Sequence, residues 1–439
     1  GALMKEAQGC KDVEVVALCD ADSNQLAKRA NEFEKKHKRR PDTEQDFRKL
    51  LERDDIDAIV SATPNHWHAL LTIYACQAGK DVYIEKPVSH GVYEGRKMVE
   101  ASRKYNRIVQ GGFQNRSHSS LQEFKSDLDS GRWGKIEHIR GLCYRNRSSI
   151  GPRTATPQAP PSEVDYNLWL GPADDLPIHR KRFHYDWHWI WNTGNGDLGN
   201  QGPHEFDLLC WFLGDPGLPK QTMSFGGRFG WNDAGETHNL QLALLDFGKD
   251  KPPAAFEVCD MKLKPDLNAS PNYKGTRVGV VVTCEGGEFR GGRGGGTVFA
   301  PDGKARLHQY AGGGDHMANF FEAVRSRKRE DQFCEIENAH LSSCLPHFGN
   351  ISARIGAATP QGELREKVKG DPRATEWLDR FAGQLNDWNV DLDKTPFTLG
   401  PWLPIDAKNE CVADSPFAAA GNKFVRRRGR GEFIIPEKV

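Results

Sequence analysis

The sequence lacks the cysteine patterns of a metal site or a disulfide scaffold. It contains 10 cysteines, but they form no Cys-x-x-Cys pair and their spacing is irregular, which argues against both kinds of site. Cys19, Cys76 and Cys210 lie in apolar runs, which indicates small buried side chains. His66 and His68 have no third ligand at helical or loop spacing, so we predict no metal site.

An excess of charge of one sign and a long hydrophobic run are also missing. The chain has 60 Lys and Arg residues against 60 Asp and Glu residues, so its formal net charge at pH 7 is zero. This balance gives little support to a nucleic-acid partner or to an anionic membrane surface. No apolar stretch is long enough to span a bilayer. We therefore expect neither a nucleic acid nor a membrane as a partner.

A chain of 439 residues is too long for one ordinary hydrophobic core and predicts two domains. At its start, short apolar segments alternate with helical patterns. The expected elements are a strand at residues 13–20, a helix at 23–37, a short helix at 43–52 and a strand at 58–61. Strands that alternate with helices in this way are typical of a doubly wound α/β domain.

The middle of the chain has a different pattern, with several strand-like runs in succession. Residues 136–144 alternate apolar and polar side chains as a half-buried strand does. The arginine- and glycine-rich residues 290–296 form one short stretch between such runs in a neutral chain, which favours a flexible hairpin or loop over an RNA-binding segment. Residues 239–247, 254–258 and 276–284 are further expected strands.

Three polar stretches stand out against this background. Residues 81–87 (DVYIEKP) predict a buried strand with Lys86 at its C-terminal tip, where a lysine can hold or relay a proton beside a ligand. Taken alone, this would more simply be a surface Glu-Lys pair before a loop proline. Residues 63–68 (TPNHWH) follow a strand and begin a helix, whose free N–H groups can face a ligand. Residues 194–207 (GNGDLGNQGPHEFD) are a glycine-rich turn that leads into a helix containing His204.

In this order and spacing, the three stretches resemble the Gfo/Idh/MocA family of nicotinamide-dependent oxidoreductases. The resemblance covers most of the chain. It implies an α/β fold with a doubly wound, Rossmann-type nucleotide-binding domain and an α+β domain with a mostly antiparallel sheet. The expected boundaries are residues 1–118 for the first domain, 119–355 for the second, and 356–439 for a C-terminal extension.

Asp20 indicates the cofactor and the register of the first domain. In a dinucleotide-binding fold such an acid lies about 20 residues beyond a glycine-rich turn. Counting back from Asp20 places that turn just before Gly1, so we expect an N-terminally incomplete sequence whose first strand is missing and whose turn ends at Gly1. Asp20 would accept hydrogen bonds from ribose hydroxyls and repel a 2′-phosphate, which favours NAD over NADP. The alternative is an ordinary acid in the turn that ends a strand.

The resemblance also implies roles for individual residues. Lys86 and His204 are the expected catalytic pair, because an imidazole suits proton exchange near neutrality. Trp189 and Trp191 belong to a tryptophan-rich region that could stack on sugar rings, although an aromatic core is the alternative. The expected cofactor contacts are Gly1, Asp20, Thr63, Pro64, Asn65, His68, Glu85, Lys86 and Gln114. The expected substrate contacts are Lys86, Arg116, Trp189, Trp191, Asn200 and His204. Gln114 and Arg116 could instead be polar residues of the hinge region between the domains.

Asn200 departs from the pattern of the family, whose members commonly carry an aspartate four residues before the histidine. An amide cannot serve as a general base, although it can position a hydroxyl group or a water molecule. Asp207, one helical turn after His204, could orient its ring or cap a neighbouring loop. The departure at Asn200 weakens a direct transfer of mechanism from well-studied dehydrogenases.

Three functions are compatible with this pattern. The first is hydride transfer between NAD and a ring hydroxyl of a sugar, cyclitol or glycoside. The second is NAD-dependent glycoside hydrolysis by transient oxidation, elimination and water addition, and the third is non-catalytic binding of NAD or sugar. We expect a small carbohydrate as the substrate and a homo-oligomer, either a dimer or a tetramer. The compartment would be the cytoplasm or, if the missing N-terminus carried an export signal, the periplasm.

Overall fold

The computed structural model describes residues 1–427 and 429–439. Its N-terminal part alternates strands and helices, with helix starts that the sequence encodes locally. The Asp22 side chain, for example, accepts hydrogen bonds from the N–H groups of Asn24 and Gln25 at the start of the second helix. The elements are α1 (Ala2–Gly9), β1 (Ala17–Cys19), α2 (Ser23–His37), β2 (Asp42–Glu44), α3 (Phe47–Leu51), β3 (Ala58–Ser61), α4 (His68–Gln77), β4 (Asp81–Ile84), α5 (Val92–Lys104) and β5 (Val109–Gly111).

The strands of this part form two separate parallel sheets. β1 pairs with β2, and β3, β4 and β5 pair in that order. The facing edges of β1 and β3 both line a cavity of about 1410 Å³. Among the described residues, no strand lies between these two edges. Within each sheet the strands are parallel, so the turns after β3 and β4 lie at the same carboxyl edge, and the turn after β1 lies at the carboxyl edge of its own sheet. In α/β proteins, nucleotides bind at such edges.

Two local predictions are wrong in this part. Cys19, expected to be buried, is exposed, whereas Cys76 and Cys210 are buried as predicted. Cys19 ends β1, which has a neighbouring strand on one side only, so little main chain covers it. Residues 43–52 were expected to be one helix, but β2 takes the first of them and α3 begins at Phe47. A strand of three polar residues is too short to show a period-two pattern.

The second part is built around a 12-stranded sheet, four strands of which come from the C-terminal residues: β14 (Ala357–Thr359), β15 (Phe397–Leu399), β16 (Leu403–Asp406) and β17 (Cys411–Val412). The strand order is β13-β12-β11-β10-β6-β9-β8-β7-β15-β14, with β16 paired to β7 and β17 paired to β16. Of its described pairs, all but β6–β9 are antiparallel, which confirms the expected sheet type. Residues 290–296 lie in the predicted hairpin. The elements to residue 354 are α6 (Ser119–Asp129), β6 (Ile136–Tyr144), α7 (Tyr166–Leu170), α8 (Gly196–Asn200), α9 (Pro203–Phe212), β7 (Gln221–Gly227), β8 (Leu240–Asp246), β9 (Ala254–Cys259), β10 (Val278–Cys284), β11 (Gly287–Gly292), β12 (Gly295–Phe299), β13 (Arg306–Ala311), α10 (His316–Ser326) and α11 (Ile336–Arg354).

The two faces of this sheet have separate cores. On one face, which we call the inner face, Cys143 of β6 belongs to the same buried cluster as Phe206 of α9 and Phe348 of α11. On the outer face, Leu142 and Tyr144 belong to another cluster. This alternation follows from the period of two along a strand, and it directs odd-numbered residues of β6 towards α9.

The residues from 357 onward complete the sheet and cover its outer face. Trp377, Phe381 and Leu385 of α13 pack there, in the same cluster as Phe225 and Leu142. No helix among residues 1–427 and 429–439 combines the length and the apolar composition needed to cross a bilayer. The elements are β14 (Ala357–Thr359), α12 (Gln361–Val368), α13 (Pro372–Asp387), β15 (Phe397–Leu399), β16 (Leu403–Asp406), β17 (Cys411–Val412), α14 (Ala418–Val425), β18 (Gly429–Arg430) and β19 (Phe433–Ile434).

Candidate active site

Lys86 reaches from the first part of the molecule to the second. It follows β4 and is half-buried, and its Nζ donates a hydrogen bond to the backbone oxygen of Asn200 at 2.9 Å. The imidazole of His68 connects the turn that carries Lys86 to the turn after β3. Its Nδ1 lies 2.6 Å from the backbone oxygen of Pro87, and its Nε2 lies 2.8 Å from the backbone oxygen of Thr63. The amine is therefore held beside the segment that leads into α9.

His204 is the second residue of α9, and its backbone oxygen accepts a hydrogen bond from Asn115 Nδ2 at 3.4 Å. Its buried Nδ1 has no hydrogen-bond partner among the described residues. Burial, and then the positive charge of Lys86, lower the pKa of His204 well below its ordinary value. The imidazole is therefore uncharged, which is the protonation state that a general base needs.

Asn200 connects Lys86 to a buried ionic group. Its Nδ2 donates to Asp197 Oδ1 at 3.1 Å. Arg147 donates to both oxygens of the same carboxylate, from Nε at 2.7 Å and from Nη2 at 2.9 Å. Although burial raises it, these hydrogen bonds lower the pKa of Asp197 to about 2. Asp197 is consequently a buried anion whose charge Arg147 neutralises.

Asp260, which follows β9, completes this group. Its side chain is fully buried, and neither of its oxygens accepts a hydrogen bond from a described residue. Burial and the adjacent Asp197 carboxylate raise the pKa of Asp260 well above its ordinary value. Protonated Asp260 can donate to Asp197, so the two acids together carry one negative charge. We call the space beside Lys86 and His204 the cleft. The residues Arg147, Asp197, Asn200 and Asp260 together are called the floor of the cleft.

Glu205 adds a second uncharged acid. It is 4% exposed, and Gln201 Nε2 donates to its Oε1 at 3.4 Å. Its Oε2 is buried without a partner in the described part of the chain. Burial raises the pKa of Glu205 to about 8. Near neutral pH, Glu205 is therefore a carboxylic acid and does not offset the charge of Lys86.

The predicted cofactor residues fall into two groups. One group lies along the cavity between β1 and β3, where burial raises the pKa of Asp20; it consists of Gly1, Asp20, Thr63 and Pro64. The other group lies near Lys86. Asn65 Nδ2 is buried and has no described partner, and Gln114 Nε2 donates to Glu85 Oε1 at 2.8 Å. An acid after β1 and an orphaned amide after β3, each at the carboxyl edge of its own sheet, fit a dinucleotide.

Not every predicted substrate residue is brought into this cleft. Arg116 is 4% exposed, and its guanidinium is occupied by ion pairs with Asp207 and Asp215. The indole of Trp191 is covered by the Arg354 guanidinium at 4.8 Å from the ring centroid. Trp189, in contrast, lies near Arg147, 5.8 Å from ring centroid to guanidinium carbon, and its buried Nε1 has no described partner.

Both parts of the chain are similar to known proteins. Residues 2–113 match the model described as "Oxidoreductase family, NAD-binding Rossmann fold" of the Gfo/Idh/MocA family. Residues 135–225 match that family's "Oxidoreductase family, C-terminal alpha/beta domain". The chain belongs to the Gfo/Idh/MocA oxidoreductase family. Its first match covers the strand-end turns and Lys86, and its second covers α9 and His204.

Two curated relatives of this Gfo/Idh/MocA chain are named for cyclitol or sugar oxidation. Inositol 2-dehydrogenase from Salmonella typhimurium is 31% identical over 173 residues, which are 38% of this chain and 50% of the relative. Levoglucosan dehydrogenase from Pseudarthrobacter phenanthrenivorans is 30% identical over 170 residues, which are 39% of this chain and 36% of the relative. The chain thus spans half or less of the length of these relatives.

A solved structure supports the fold over a longer range. The WlbA dehydrogenase from Bordetella pertussis, determined with NADH and UDP-GlcNAcA, aligns with a TM-score of 0.56 at 18% identity. The alignment covers 78% of this chain and 88% of that chain. At this identity the likeness concerns the fold alone, and it agrees with the predicted combination of a nucleotide-binding domain and a mostly antiparallel sheet.

The floor of the cleft is the part of this Gfo/Idh/MocA site that sequence reasoning missed. Arg147, Asp197 and Asp260 come from the segment after β6, from α8 and from the end of β9, so no motif contains all three. Asp197 alone had a usable signal, because it lies three residues before Asn200 and hence one helical turn away. Glu205 adjoins His204 in sequence, but its burial could not be inferred from that position.

Proposed function

We propose that this protein is an NAD-dependent oxidoreductase that transfers a hydride between the cofactor and a ring hydroxyl of a sugar, cyclitol or glycoside. The observation that carries the proposal is the hydrogen bond of 2.9 Å from Lys86 Nζ to the Asn200 oxygen. It holds an ammonium group beside α9, whose His204 is neutral. Dehydrogenation of an alcohol requires both groups, a base for the hydroxyl proton and a cation for the developing alkoxide.

In this mechanism, His204 takes the proton of the substrate hydroxyl. Lys86 donates a hydrogen bond to the same oxygen and stabilises the negative charge that forms on it. When bound, the nicotinamide ring supplies the acceptor for the hydride that leaves the carbon. Asn200 positions Lys86 through its backbone oxygen and is itself oriented by Asp197.

The names of the two curated relatives support the substrate class. An inositol is a cyclitol and levoglucosan is an anhydrosugar, and both carry the ring hydroxyls that the proposal requires. The cofactor assignment rests on the family model for residues 2–113 and on Asp20. A carboxylate after β1 favours NAD because it would repel the 2′-phosphate of NADP.

The decisive experiment is steady-state turnover with NAD and a panel of sugars, cyclitols and glycosides, followed by NADH absorbance and product analysis. Stoichiometric NADH together with an oxidised ring product is expected. Glycoside cleavage with catalytic NAD and no accumulation of NADH would replace the proposal with the transient-oxidation hydrolase. Tight binding of NAD without turnover of any panel member would favour a non-catalytic binding protein.

A further inference from the structure

The arginines of the second part divide into paired and unpaired groups. Arg147 donates to Asp197, and Arg228 donates to both oxygens of Asp233 at 2.7 Å. Arg145 and Arg293 differ, because neither guanidinium has a hydrogen bond or an ion pair to a described residue. We call these two residues the rim arginines.

Arg145 lies on the α9 side of the sheet. Its N–H donates to the oxygen of Cys259 at 2.9 Å, which continues the ladder of β6 and β9 by one residue. The alternation of β6 places Cys143 in the cluster that contains α9, and Arg145 is two residues further on the same face. The side chain is only half-buried, so its guanidinium can reach the cleft.

Arg293 reaches the same region from a hairpin. It occupies the turn between β11 and β12 and is exposed. This hairpin lies against the start of α6, because a Cβ atom on Gly295 would be 3.2 Å from the Cβ of Ser120. The turn before α6 contains Asn115, which contacts His204. Arg293 and Arg145 both contribute to lowering the pKa of His204, which agrees with this placement.

The charges around His204 do not balance. Lys86, Arg145 and Arg293 are cations without an acidic partner among the described residues, and Asp197 is neutralised by Arg147. Burial raises the pKa values of Glu205, Asp260 and Glu85, which reduces the negative charge that these three acids contribute. The oxidised nicotinamide ring would bring one more positive charge. A cleft with such a surplus attracts an anion and raises its local concentration.

From this geometry we infer that the substrate is an anionic carbohydrate, whose carboxylate or phosphate group is bound by Arg145 and Arg293 while its ring hydroxyl meets Lys86 and His204. This inference rests on the proposed function and narrows its substrate class. Guanidinium groups suit both oxyanions, because their planar N–H donors match the geometry of either group. No bond to the anionic group is made or broken.

A matched series of hexoses tests the inference by changing one group. Glucose, glucuronate and glucose 6-phosphate differ only at the sixth carbon, and the methyl ester of glucuronate removes the charge while keeping the carbonyl. Galactose and galacturonate repeat the comparison with another ring configuration. Binding is measured calorimetrically in the presence of NADH, and turnover is measured with NAD. A charged member should bind roughly tenfold or more tightly than its neutral counterpart.

The matched variants are Arg145→Gln and Arg293→Gln, with Arg306→Gln as the control. Arg306 is an exposed arginine of the same sheet, at the opposite end of the β12–β13 pair from the hairpin turn. Each rim variant should remove most of the preference for the charged sugar and leave binding of the neutral sugar nearly unchanged. The larger effect is expected at Arg145, which is the less exposed of the two. Arg306→Gln should behave as wild type.

The outcomes separate this inference from the proposed function. NADH formation with equal use of charged and neutral sugars would overturn the inference and leave the oxidoreductase intact. Selective binding of the charged sugars without NADH formation would support the anion site and overturn the redox reaction. A preference for glucuronate over the phosphate identifies a carboxylate as the anion, and the reverse preference identifies a phosphate.

Discussion

Arg147 in the floor of the cleft and Arg145 at its rim are two residues apart in sequence but have opposite environments. Arg147 donates to both oxygens of Asp197, which is completely buried, and this carboxylate in turn orients Asn200. Arg145 has no acidic partner among residues 1–427 and 429–439. The comparison indicates two different roles. The charges and hydrogen-bonding groups of the floor are paired with one another and position Lys86, whereas the rim arginines can interact with a ligand.

The largest effect is expected when the buried carboxylate of Asp197 is removed from the floor. Asp197→Ala would leave the guanidinium of Arg147 and the carboxyl group of Asp260 without their shared partner. Breaking a buried ion pair by removing one member should lower the free energy of unfolding by roughly 3–5 kcal/mol. Denaturant unfolding measures this change.

Asp233→Ala is the matched control for Asp197→Ala, because Asp233 also accepts two hydrogen bonds from one arginine. Both variants should be destabilised, but only Asp197→Ala should also lower the turnover of the protein that remains folded. Equal turnover in the two variants would show that the floor has only a structural role.

The second largest effect is expected when the amine of Lys86 is removed. Lys86→Ala should reduce kcat by roughly 10²–10³-fold, the usual cost of losing one donor to a developing oxyanion. The affinity for NADH, followed by fluorescence titration, should change little. Lys49→Ala, at an exposed lysine of the first part, serves as the control. Near-normal turnover in Lys86→Ala would contradict the assigned role.

A smaller effect is expected at Glu205. Its pKa is raised by burial from an ordinary value of 4.5 to about 8, so the folded state binds more protons than the unfolded state between these values. Stability is therefore lost as the pH rises through this window. Glu205→Gln keeps the shape without the ionisable proton, so its stability relative to wild type should rise between pH 5 and pH 8, by at most about 1.4 kcal/mol for each pH unit. A parallel pH dependence in both proteins would show that Glu205 is not the responsible group.

The smallest predicted effect is a shift in a pH profile. Because burial and Lys86 lower the pKa of His204, the base should stay neutral at neutral pH, and kcat/KM should fall only well below the ordinary pKa of histidine. Lys86→Met removes one of the charges that disfavour the imidazolium ion. As the pH is lowered, the residual activity of Lys86→Met should therefore begin to fall at a higher pH than the activity of wild type does. If both proteins lose activity at the same pH, the charge of Lys86 does not influence the pKa of His204.

Much of this fold could be predicted because its signals are local. The order of strands and helices, the helical turn that follows Pro64 and leads into α4, and Lys86 after the end of β4 are all contained in short segments. The meeting of Lys86 with the Asn200 segment is not local, since 114 residues separate them. It was expected from the resemblance to a family and not from any pattern in the chain.

The sequence carries least information where tertiary contacts decide the environment of a residue. Cys19 lies in an apolar run, yet β1 has a strand on one side only. Trp191 looked available for sugar stacking, but Arg354 from α11 covers its ring. Arg116 looked like a residue of the crevice, but two aspartates from another segment hold it. In each case the deciding neighbour is far away in sequence, where composition and periodicity carry no information.

Helix α13 also bears on how copies of this chain could assemble. A broad β-sheet with a bare apolar face is a ready surface for stacking against a second sheet, but here Trp377, Leu378 and Phe381 already occupy that surface and are at most 1% exposed. Two molecules that stacked face to face would first have to lift this helix away and hydrate its aromatic side chains. A dimer or tetramer of the intact chain would therefore have to form through a surface other than this face of the sheet.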